Sequence, residues 1–382
     1  EERNVVQYLT AWDGYEGLNT RMGAPVAPFE LPAHYNRKAT RSMGRVAVMG
    51  VRASELALID AGLLGDPLLS SGRLGISYGS SVGSPAAIGD FGNMISHKTT
   101  EGITANTYIK MMSHTAAVNI GVFFGITGRI ITTSSACTAG SQGIGYAFEA
   151  IQSGRQVAML AGGAEELDAI DAAVFDTLFA TSTVNDTPHL TPRPFDAKRD
   201  GLVLGEGACT LVLEELGHAQ ARGARILGEI IGLGTDSDGT HVTQPNARTM
   251  AQAMRLALDS AAVPPEAIGY VNAHGTATEH GDLAETNATA EVFGQRAPIS
   301  SIKSYMGHTL GACGALEAWM SLEMMRDGWF APTINLTEVD ARCGDLDYIG
   351  AGGRAIDTDL VMSNNFAFGG INTSLVLRRW QD

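Results

Sequence analysis

The stretch IITTSSACTAG, residues 130–140, is an apolar run that ends in a series of small residues and a cysteine. A helical pattern follows it at 140–152, with apolar residues at three- and four-residue spacing. The stretch APISSIK, residues 297–303, has the same form and precedes a second helical segment at 311–325. Both helices are apolar nearly all round, which is typical of helices buried at the centre of a domain. The repeated unit predicts an α/β protein with two related halves, although two unrelated α/β units would give similar strings.

The remaining chain alternates short apolar runs with glycine-rich breaks, as tightly connected α/β proteins do. Further helices are predicted at 44–61 and 250–262, and residues 5–9 also resemble a helix. Strands are predicted at 157–161, where Gly162 and Gly163 stop the run, and at 208–214. Two more strands, 360–362 and 374–377, are predicted to pair around a glycine-rich loop at 364–372.

Composition excludes several classes of protein. The 382 residues carry a formal net charge of −15, from 26 Lys and Arg against 41 Asp and Glu, and a nucleic acid would be repelled by such a body. No uninterrupted apolar run reaches the roughly 18 residues of a membrane span, and no signal peptide opens the sequence. We therefore expect a cytoplasmic protein with neither a nucleic-acid nor a membrane partner.

Cys137 is the candidate nucleophile among the four cysteines. No two cysteines lie within four residues of each other, so no zinc knuckle or redox pair is present in the sequence. The predicted helix N-terminus after Cys137 should stabilise a thiolate and lower the thiol pKa. Its small neighbours leave room for a substrate and for backbone N–H groups that face an oxyanion. The plainer reading is a small buried apolar residue, which is what most cysteines are.

Two histidines lie at glycine-flanked turns, His274 in AHGTAT (273–278) and His308 in KSYMGH (303–308). A helix N-terminus disfavours a cation, so a neutral imidazole there can donate an N–H to a carbonyl oxygen. A lone histidine is more often an ordinary structural or surface residue. The loop at 364–372 places two phenylalanines before two glycines, which suits close approach to a ligand or a tight hairpin.

Taken together, these motifs resemble those of the β-ketoacyl-[acyl carrier protein] synthases I and II, and the resemblance covers essentially the whole chain. It implies the thiolase fold, a duplicated α/β structure in five αβαβα layers, and a homodimer. The two halves would span 1–225, with the nucleophile, and 226–382, with the His and Lys residues. The motifs that carry the resemblance are SACTAG (135–140), AHGTAT (273–278), KSYMGH (303–308), NFAFGG (365–370), GGAE (162–165), RPFD (193–196) and RDGLVLGEG (199–207).

The resemblance also implies roles for individual residues. Cys137 would take the acyl group, and His274 and His308 would assist malonyl decarboxylation. Lys303 and Glu317 would complete the catalytic set. The backbone N–H groups of Cys137 and Phe368 would form the oxyanion hole. The implied substrate-binding residues are Val82, Thr276, Thr278, Phe366, Phe368 and Gly369, of which Val82 would line the acyl pocket and Phe368 would act as a gate.

The implied partner is acyl carrier protein, docked on Lys38, Arg41 and Lys98, although these could be ordinary solvated charges. The implied reaction is a decarboxylative Claisen condensation of acyl and malonyl thioesters in fatty acid elongation, without metal or cofactor. A polyketide or polyene ketosynthase and a non-catalytic partner subunit are the alternatives. Two departures from the family stand out. No family-type first strand precedes residues 5–9, so the N-terminus could be missing, and Ala367 replaces a loop glycine, which should restrict the gate.

Overall fold

Two β-sheets enclose a pair of helices in the computed structural model, which describes residues 3–381. The strands of this described part are β1 (Gln7–Tyr8), β2 (Met22–Ala24), β3 (Leu74–Gly79), β4 (Ile130–Thr132), β5 (Ala158–Glu165), β6 (Leu204–Gly205), β7 (Gly207–Glu214), β8 (Gly228–Ser237), β9 (Tyr270–Asn272), β10 (Pro298–Ser300), β11 (Trp329–Phe330), β12 (Asp347–Tyr348), β13 (Arg354–Ala355), β14 (Leu360–Ala367) and β15 (Ile371–Arg379).

The α-helices of the same part are α1 (Arg37–Thr40), α2 (Arg45–Asp60), α3 (Pro85–His97), α4 (Ala105–Met111), α5 (Thr115–Phe124), α6 (Ala139–Gln152), α7 (Ala169–Asp176), α8 (Leu216–Ala221), α9 (Ala247–Ala261), α10 (Glu279–Phe293), α11 (Lys303–Met306) and α12 (Cys313–Asp327). Short 3-10 helices lie at Thr10–Trp12, Pro67–Ser70, Ala136–Thr138, Pro188–Leu190, Pro265–Ala267, Gly294–Arg296 and Leu310–Ala312.

The elements stack in five layers. One sheet has the order β4-β3-β5-β7 and the other β12-β10-β9-β14-β15-β8. Helices α6 and α12 pack against each other and against both sheets, so they form the central layer. Helices α2 and α5 cover the outer face of the first sheet, and α9 and α10 cover that of the second. Because both sheets bury these two helices, α6 and α12 are apolar nearly all round.

The two sheets repeat one pairing pattern, as the strand–turn–helix similarity in the sequence indicated. In the first sheet β3 runs parallel to both β4 and β5, and β7 runs antiparallel to β5. In the second, β9 runs parallel to both β10 and β14, and β15 runs antiparallel to β14. The halves are therefore related, and chance similarity is not the explanation. The predicted boundary at residue 225 falls between α8 and β8 and stays a prediction.

The central helices cross with backbone nearly touching backbone. A Cβ atom on Gly140 in α6 would lie 2.8 Å from the nitrogen of Ala315 and 2.9 Å from the carbonyl oxygen of Gly311. A Cβ on Gly163 in β5 would lie 2.2 Å from the same Gly311 oxygen. Glycine is therefore required at this crossing, because any side chain would push the first turns of the two helices apart.

Three local predictions differ from the structure. Residues 5–9 contain β1, not a helix, because Val6 is buried against Met22 in the neighbouring strand. Strand β5 does not stop at Gly162 and continues to Glu165, since it pairs on both edges with β3 and β7. Most of the loop predicted at 364–372 is strand, and a turn at 368–370 joins β14 and β15.

The other predicted helices and strands are present within a few residues of their expected ends. No helix in the described range 3–381 combines the length and apolar character needed to cross a bilayer.

The crossing yields a prediction about stability. Gly140→Ala is expected to lower the free energy of unfolding by about 1–3 kcal/mol, because a methyl group is forced against backbone atoms. Gly92→Ala in α3 is the matched control, since a Cβ there would meet nothing within 4 Å. It is expected to raise the free energy of unfolding by about 0.4–1 kcal/mol. Urea denaturation followed by circular dichroism measures both, and a Gly140→Ala protein as stable as the parent would contradict the close crossing.

Candidate active site

Cys137 lies in the 3-10 turn between β4 and α6, at the N-terminal end of the central layer. Ala136, the residue before it, has a φ of 51°, a left-handed conformation that L-residues rarely adopt. The thiol is buried, and burial raises its pKa to about 11 against the smaller lowering effects of Lys303 and of backbone N–H groups. The predicted lowering of the thiol pKa is therefore wrong, because desolvation outweighs the helix N-terminus.

His308 lies within hydrogen-bond distance of this thiol. Its Nε2 lies 3.1 Å from Cys137 Sγ, and its Nδ1 accepts a hydrogen bond of 3.2 Å from the backbone N–H of Leu310. Because Nδ1 is an acceptor, the neutral ring carries its proton on Nε2 and presents it towards the sulfur. Leu310 has a φ of 45°, so this turn before α12 repeats the strained turn at Ala136 before α6.

His274 is held in the same tautomer by a different partner. Lys303 Nζ lies 3.1 Å from His274 Nδ1 and also contacts the carboxylate of Glu317. An ammonium group only donates, so Nδ1 accepts and the proton of the neutral imidazole is on Nε2. Asn365 Nδ2 donates to the second oxygen of Glu317 at 2.7 Å, which keeps the carboxylate facing Lys303.

Both imidazoles are neutral at physiological pH. Burial is the largest cause that lowers the pKa of His274 and of His308 well below the ordinary value, and the charge of Lys303 adds to it. Burial alone would lower the pKa of Lys303 as well, but nearby negative charge, including that of Glu317, raises it. The site therefore contains one fixed ion pair and two uncharged N–H donors, with ring centroids 5.1 Å apart.

Backbone donors also converge on the sulfur. The backbone N–H groups of Phe368 and of Cys137 itself interact with the Cys137 sulfur, and both lower its pKa. These two N–H groups are the donors predicted for the oxyanion hole, and that role stays a prediction. The Phe368 ring packs on Phe175 of α7 with centroids 5.1 Å apart, so α7 positions this turn.

A cavity of about 470 Å³ connects these groups with the surface. Cys137, His274 and His308 line its inner end. The hydroxyl groups of Thr276 and Thr278, 2.9 Å apart, line its wall. Thus the structure brings together Cys137, His274, His308, Lys303, Glu317, Thr276, Thr278, Phe366 and Phe368 from the predicted site residues.

The other predicted site residues lie outside this group. Val82 is not among the described residues that line the cavity, although its loop contacts Ser134 through the carbonyl of Ser81. Gly369 is exposed at the β14–β15 turn. The three predicted docking residues Lys38, Arg41 and Lys98 are exposed and are not among the described residues that line the cavity. Their roles stay predictions.

Several residues around the site were not assigned from the sequence. Glu285 accepts the backbone N–H groups of His274 and Gly275 at 2.7 and 2.6 Å and so holds the turn that carries His274. Burial raises the pKa of Glu285 to about 8. Cys313 donates to the carbonyl of Cys137 at 3.3 Å. Asn365 was inside a recognised motif, whereas no sequence signal pointed to Cys313.

Two groups of side chains have the spacing of metal ligands. They are Cys137, His274 and His308, and His274, Cys313 and Glu317, with ligand atoms within 4.8 Å of one another in each group. To bind a metal, the Cys137 thiol would have to lose its proton, and each imidazole would have to move its proton from Nε2 to Nδ1 if Nε2 were the ligand. The Lys303 ammonium already binds the His274 and Glu317 atoms that a cation would need. The arrangement favours substrate oxygens over a metal.

The family model for the β-ketoacyl synthase N-terminal domain matches residues 3–219, and that for the C-terminal domain matches residues 227–337. A curated relative, 3-oxoacyl-[acyl-carrier-protein] synthase 2 of Synechocystis, is 35% identical over 100% of this chain and 92% of its own length.

Two solved structures are also similar. A β-ketoacyl synthase from Burkholderia phymatum is 62% identical with a TM-score of 0.98, covering 100% of this chain and 93% of that one. The ishigamide ketosynthase/chain length factor is 31% identical with a TM-score of 0.88. The match covers 99% of this chain and 93% of that one. These likenesses confirm the predicted fold class, a thiolase fold built from two related α/β halves.

Proposed function

This chain belongs to the β-ketoacyl synthase family, and we propose that it is a 3-oxoacyl-[acyl-carrier-protein] synthase that condenses an acyl thioester with a malonyl thioester in fatty acid elongation. The observation that carries this proposal is the grouping of one thiol with two neutral Nε2–H donors at the inner end of one cavity. A nucleophile and a pair of uncharged donors are what an acyl transfer followed by an enolate needs.

The first step is transfer of the acyl group to Cys137. Its sulfur attacks the thioester carbonyl, a new carbon–sulfur bond forms, and the bond to the carrier sulfur breaks. The thiol pKa of about 11 means that Cys137 starts protonated, and its proton ends on the departing carrier thiol. The N–H groups of Cys137 and Phe368 hold the oxyanion of the tetrahedral intermediate.

The second step is decarboxylation of the malonyl thioester. The carbon–carbon bond to the carboxylate breaks, CO₂ leaves, and the electron pair moves into a thioester enolate. His274 and His308 donate their Nε2–H groups to the enolate oxygen, which gains negative charge as CO₂ leaves. Neutral donors suit this step, because a charged imidazolium would bind the malonyl carboxylate itself and oppose its loss.

The third step joins the two fragments. The enolate carbon attacks the acyl carbonyl on Cys137, and the oxyanion again lies between the N–H groups of Cys137 and Phe368. Collapse of this intermediate expels the Cys137 thiolate and leaves a 3-oxoacyl thioester two carbons longer. The negative charge of the malonyl carboxylate has moved to sulfur, and one proton from water restores the thiol.

The proposed partner is acyl carrier protein, which presents both substrates. Lys38, Arg41 and Lys98 remain candidates for its docking, because an acidic carrier needs positive charge on a body of net charge −15. We also propose a homodimer. Edge strand β4 exposes Ile130, which is 40% accessible, and an unpaired apolar edge favours pairing with a second copy.

A polyketide-type ketosynthase is the second candidate, favoured by the likeness to the ishigamide ketosynthase/chain length factor. The two candidates share the same chemistry and differ in the acyl chain. Intact Cys137, His274 and His308 argue against a non-catalytic partner subunit.

The condensation itself is the test of the proposed function. With acyl- and malonyl-carrier protein, the parent is expected to form 3-oxoacyl-carrier protein and one CO₂ per product, seen by mass spectrometry. Cys137→Ala should form neither product nor acyl adduct, since the only proposed nucleophile is gone, whereas Cys343→Ala should behave as the parent. An acyl adduct mapped to Cys209, Cys313 or Cys343 in the parent would contradict the assignment. A panel of saturated and polyenoic acyl chains separates the two candidates.

One variant should separate the role of the Cys137 thiol in acylation from the role of the histidine N–H donors in decarboxylation. His308→Ala is expected to lose about 100- to 1,000-fold in the rate of malonyl decarboxylation, as removal of one oxyanion donor does. It should still be acylated at Cys137, because the N–H groups of the oxyanion hole remain. CO₂ release and adduct mass measure the two steps, with His97→Ala, an exposed and distant change, as control. Normal decarboxylation by His308→Ala would remove this residue from the proposed role.

A further inference from the structure

An exposed apolar strip leads to the mouth of the catalytic cavity. Ile170, Val174 and Leu178 follow each other at four-residue spacing on α7 and the turn after it, with 42%, 53% and 46% of their surface exposed. Phe179 is 89% exposed, and Val242 on a separate loop is 68% exposed. We call these five residues the mouth strip. Four-residue spacing puts Ile170 and Val174 on one face of α7, and Leu178 follows in the turn after the helix.

Phe179 is unusual for two independent reasons. It has a φ of 53°, which is rare for a bulky aromatic residue and unfavourable by about 1 kcal/mol or more. Its ring also makes so little contact with the protein that packing does not compensate for the strain. An exposed and strained aromatic residue is therefore unexplained by folding, and such residues gather at functional sites.

The strip is continuous with the active site. Leu178, Phe179 and Val242 line the outer part of the same cavity that reaches Cys137. An acyl group that enters this cavity on a tethered arm keeps its protein carrier outside, directly on this rim. Whatever delivers the thioester must therefore meet the mouth strip.

The mouth offers an approaching protein little free positive charge. Among the described residues that line the cavity, the one permanent cation is Arg199. Its guanidinium group is buried and already donates to Asp340 at 2.7 Å and to the carbonyls of Thr278 and Glu279 at 3.3 and 3.1 Å. Among the described lining residues, none therefore offers a free permanent cation, whereas Phe179 and Val242 expose apolar surface there.

We propose that the mouth strip is the apolar contact for acyl carrier protein, with Phe179 as its central residue. This inference rests on the proposed function and adds to it the chemistry by which the carrier is recognised at the rim. Aromatic residues, Phe among them, are enriched in protein interfaces, and a few side chains near the centre of an interface carry most of the binding energy. The carrier is expected to cover Phe179 with apolar side chains next to its prosthetic arm.

The test replaces Phe179 by asparagine, which tolerates a left-handed backbone better than other side chains, so the fold is kept. Phe179→Asn is expected to weaken equilibrium binding of acyl-carrier protein about tenfold, which corresponds to about 1.4 kcal/mol. KM for the carrier substrate should rise in parallel, whereas KM for a short acyl thioester without carrier should stay unchanged. The loss should persist at high ionic strength, because it does not depend on charge.

Val122→Asn is the matched control, since Val122 is 82% exposed on α5 and lies outside the cavity lining. It should bind the carrier as the parent does. If Phe179→Asn binds acyl-carrier protein as tightly as the parent does, the proposed contact at the mouth strip is wrong, even if condensation proceeds as proposed. A parent that binds carrier but does not condense removes the proposed function, and the binding comparison still decides the contact. A change in oligomeric state of Phe179→Asn without carrier would assign the strip to a second copy and overturn the proposal.

Discussion

The close crossing of α6 and α12 is the constraint on which the site depends. Gly140 in α6 and Gly163 in β5 have no Cβ atom, which lets their backbone approach the carbonyl of Gly311 in the turn before α12. Cys137 lies in the turn before α6, and His308 lies in the turn before α12. The distance between the two helices therefore sets the 3.1 Å between Cys137 Sγ and His308 Nε2. Related halves of one fold thus contribute opposite parts of the chemistry, a nucleophile from one turn and a donor from the matching turn.

Burial at this crossing decides the charge of each group. The three side chains are buried, so the thiol stays protonated and both imidazoles stay neutral, which is the form in which each is useful. Lys303 is the exception, because Glu317 pairs with it and Asn365 keeps that carboxylate in place. The ammonium does not touch the thiol. Instead, it fixes the tautomer of His274 and thereby turns the Nε2 proton of this ring towards the cavity.

The sequence predicted a large part of this arrangement. The motifs were sufficient to name Cys137, His274 and His308, because small residues and glycines at strand–helix turns are visible in the sequence. The sign of the Cys137 pKa shift was predicted wrongly, since the sequence shows a helix N-terminus but not how deeply the turn is buried. Continuation of β5 through Gly162 was also missed, because pairing on both strand edges, and not local propensity, makes that segment extended. Phe179 carries no signal in the sequence, as its backbone angle and exposure exist only in the fold.

The central claim is that two neutral histidines both present Nε2–H to the substrate, one held by Lys303 and the other by the backbone of Leu310. Nitrogen NMR of protein labelled with ¹⁵N-histidine reports the protonation of each ring nitrogen directly, with single His→Ala variants for assignment. We expect His274 and His308 each to show an unprotonated Nδ1 and a protonated Nε2. This pattern should hold from about pH 8 to about pH 6, because both pKa values lie below the ordinary value near 6.5. An imidazolium signal, or a proton on Nδ1, from either residue in that range would contradict the account.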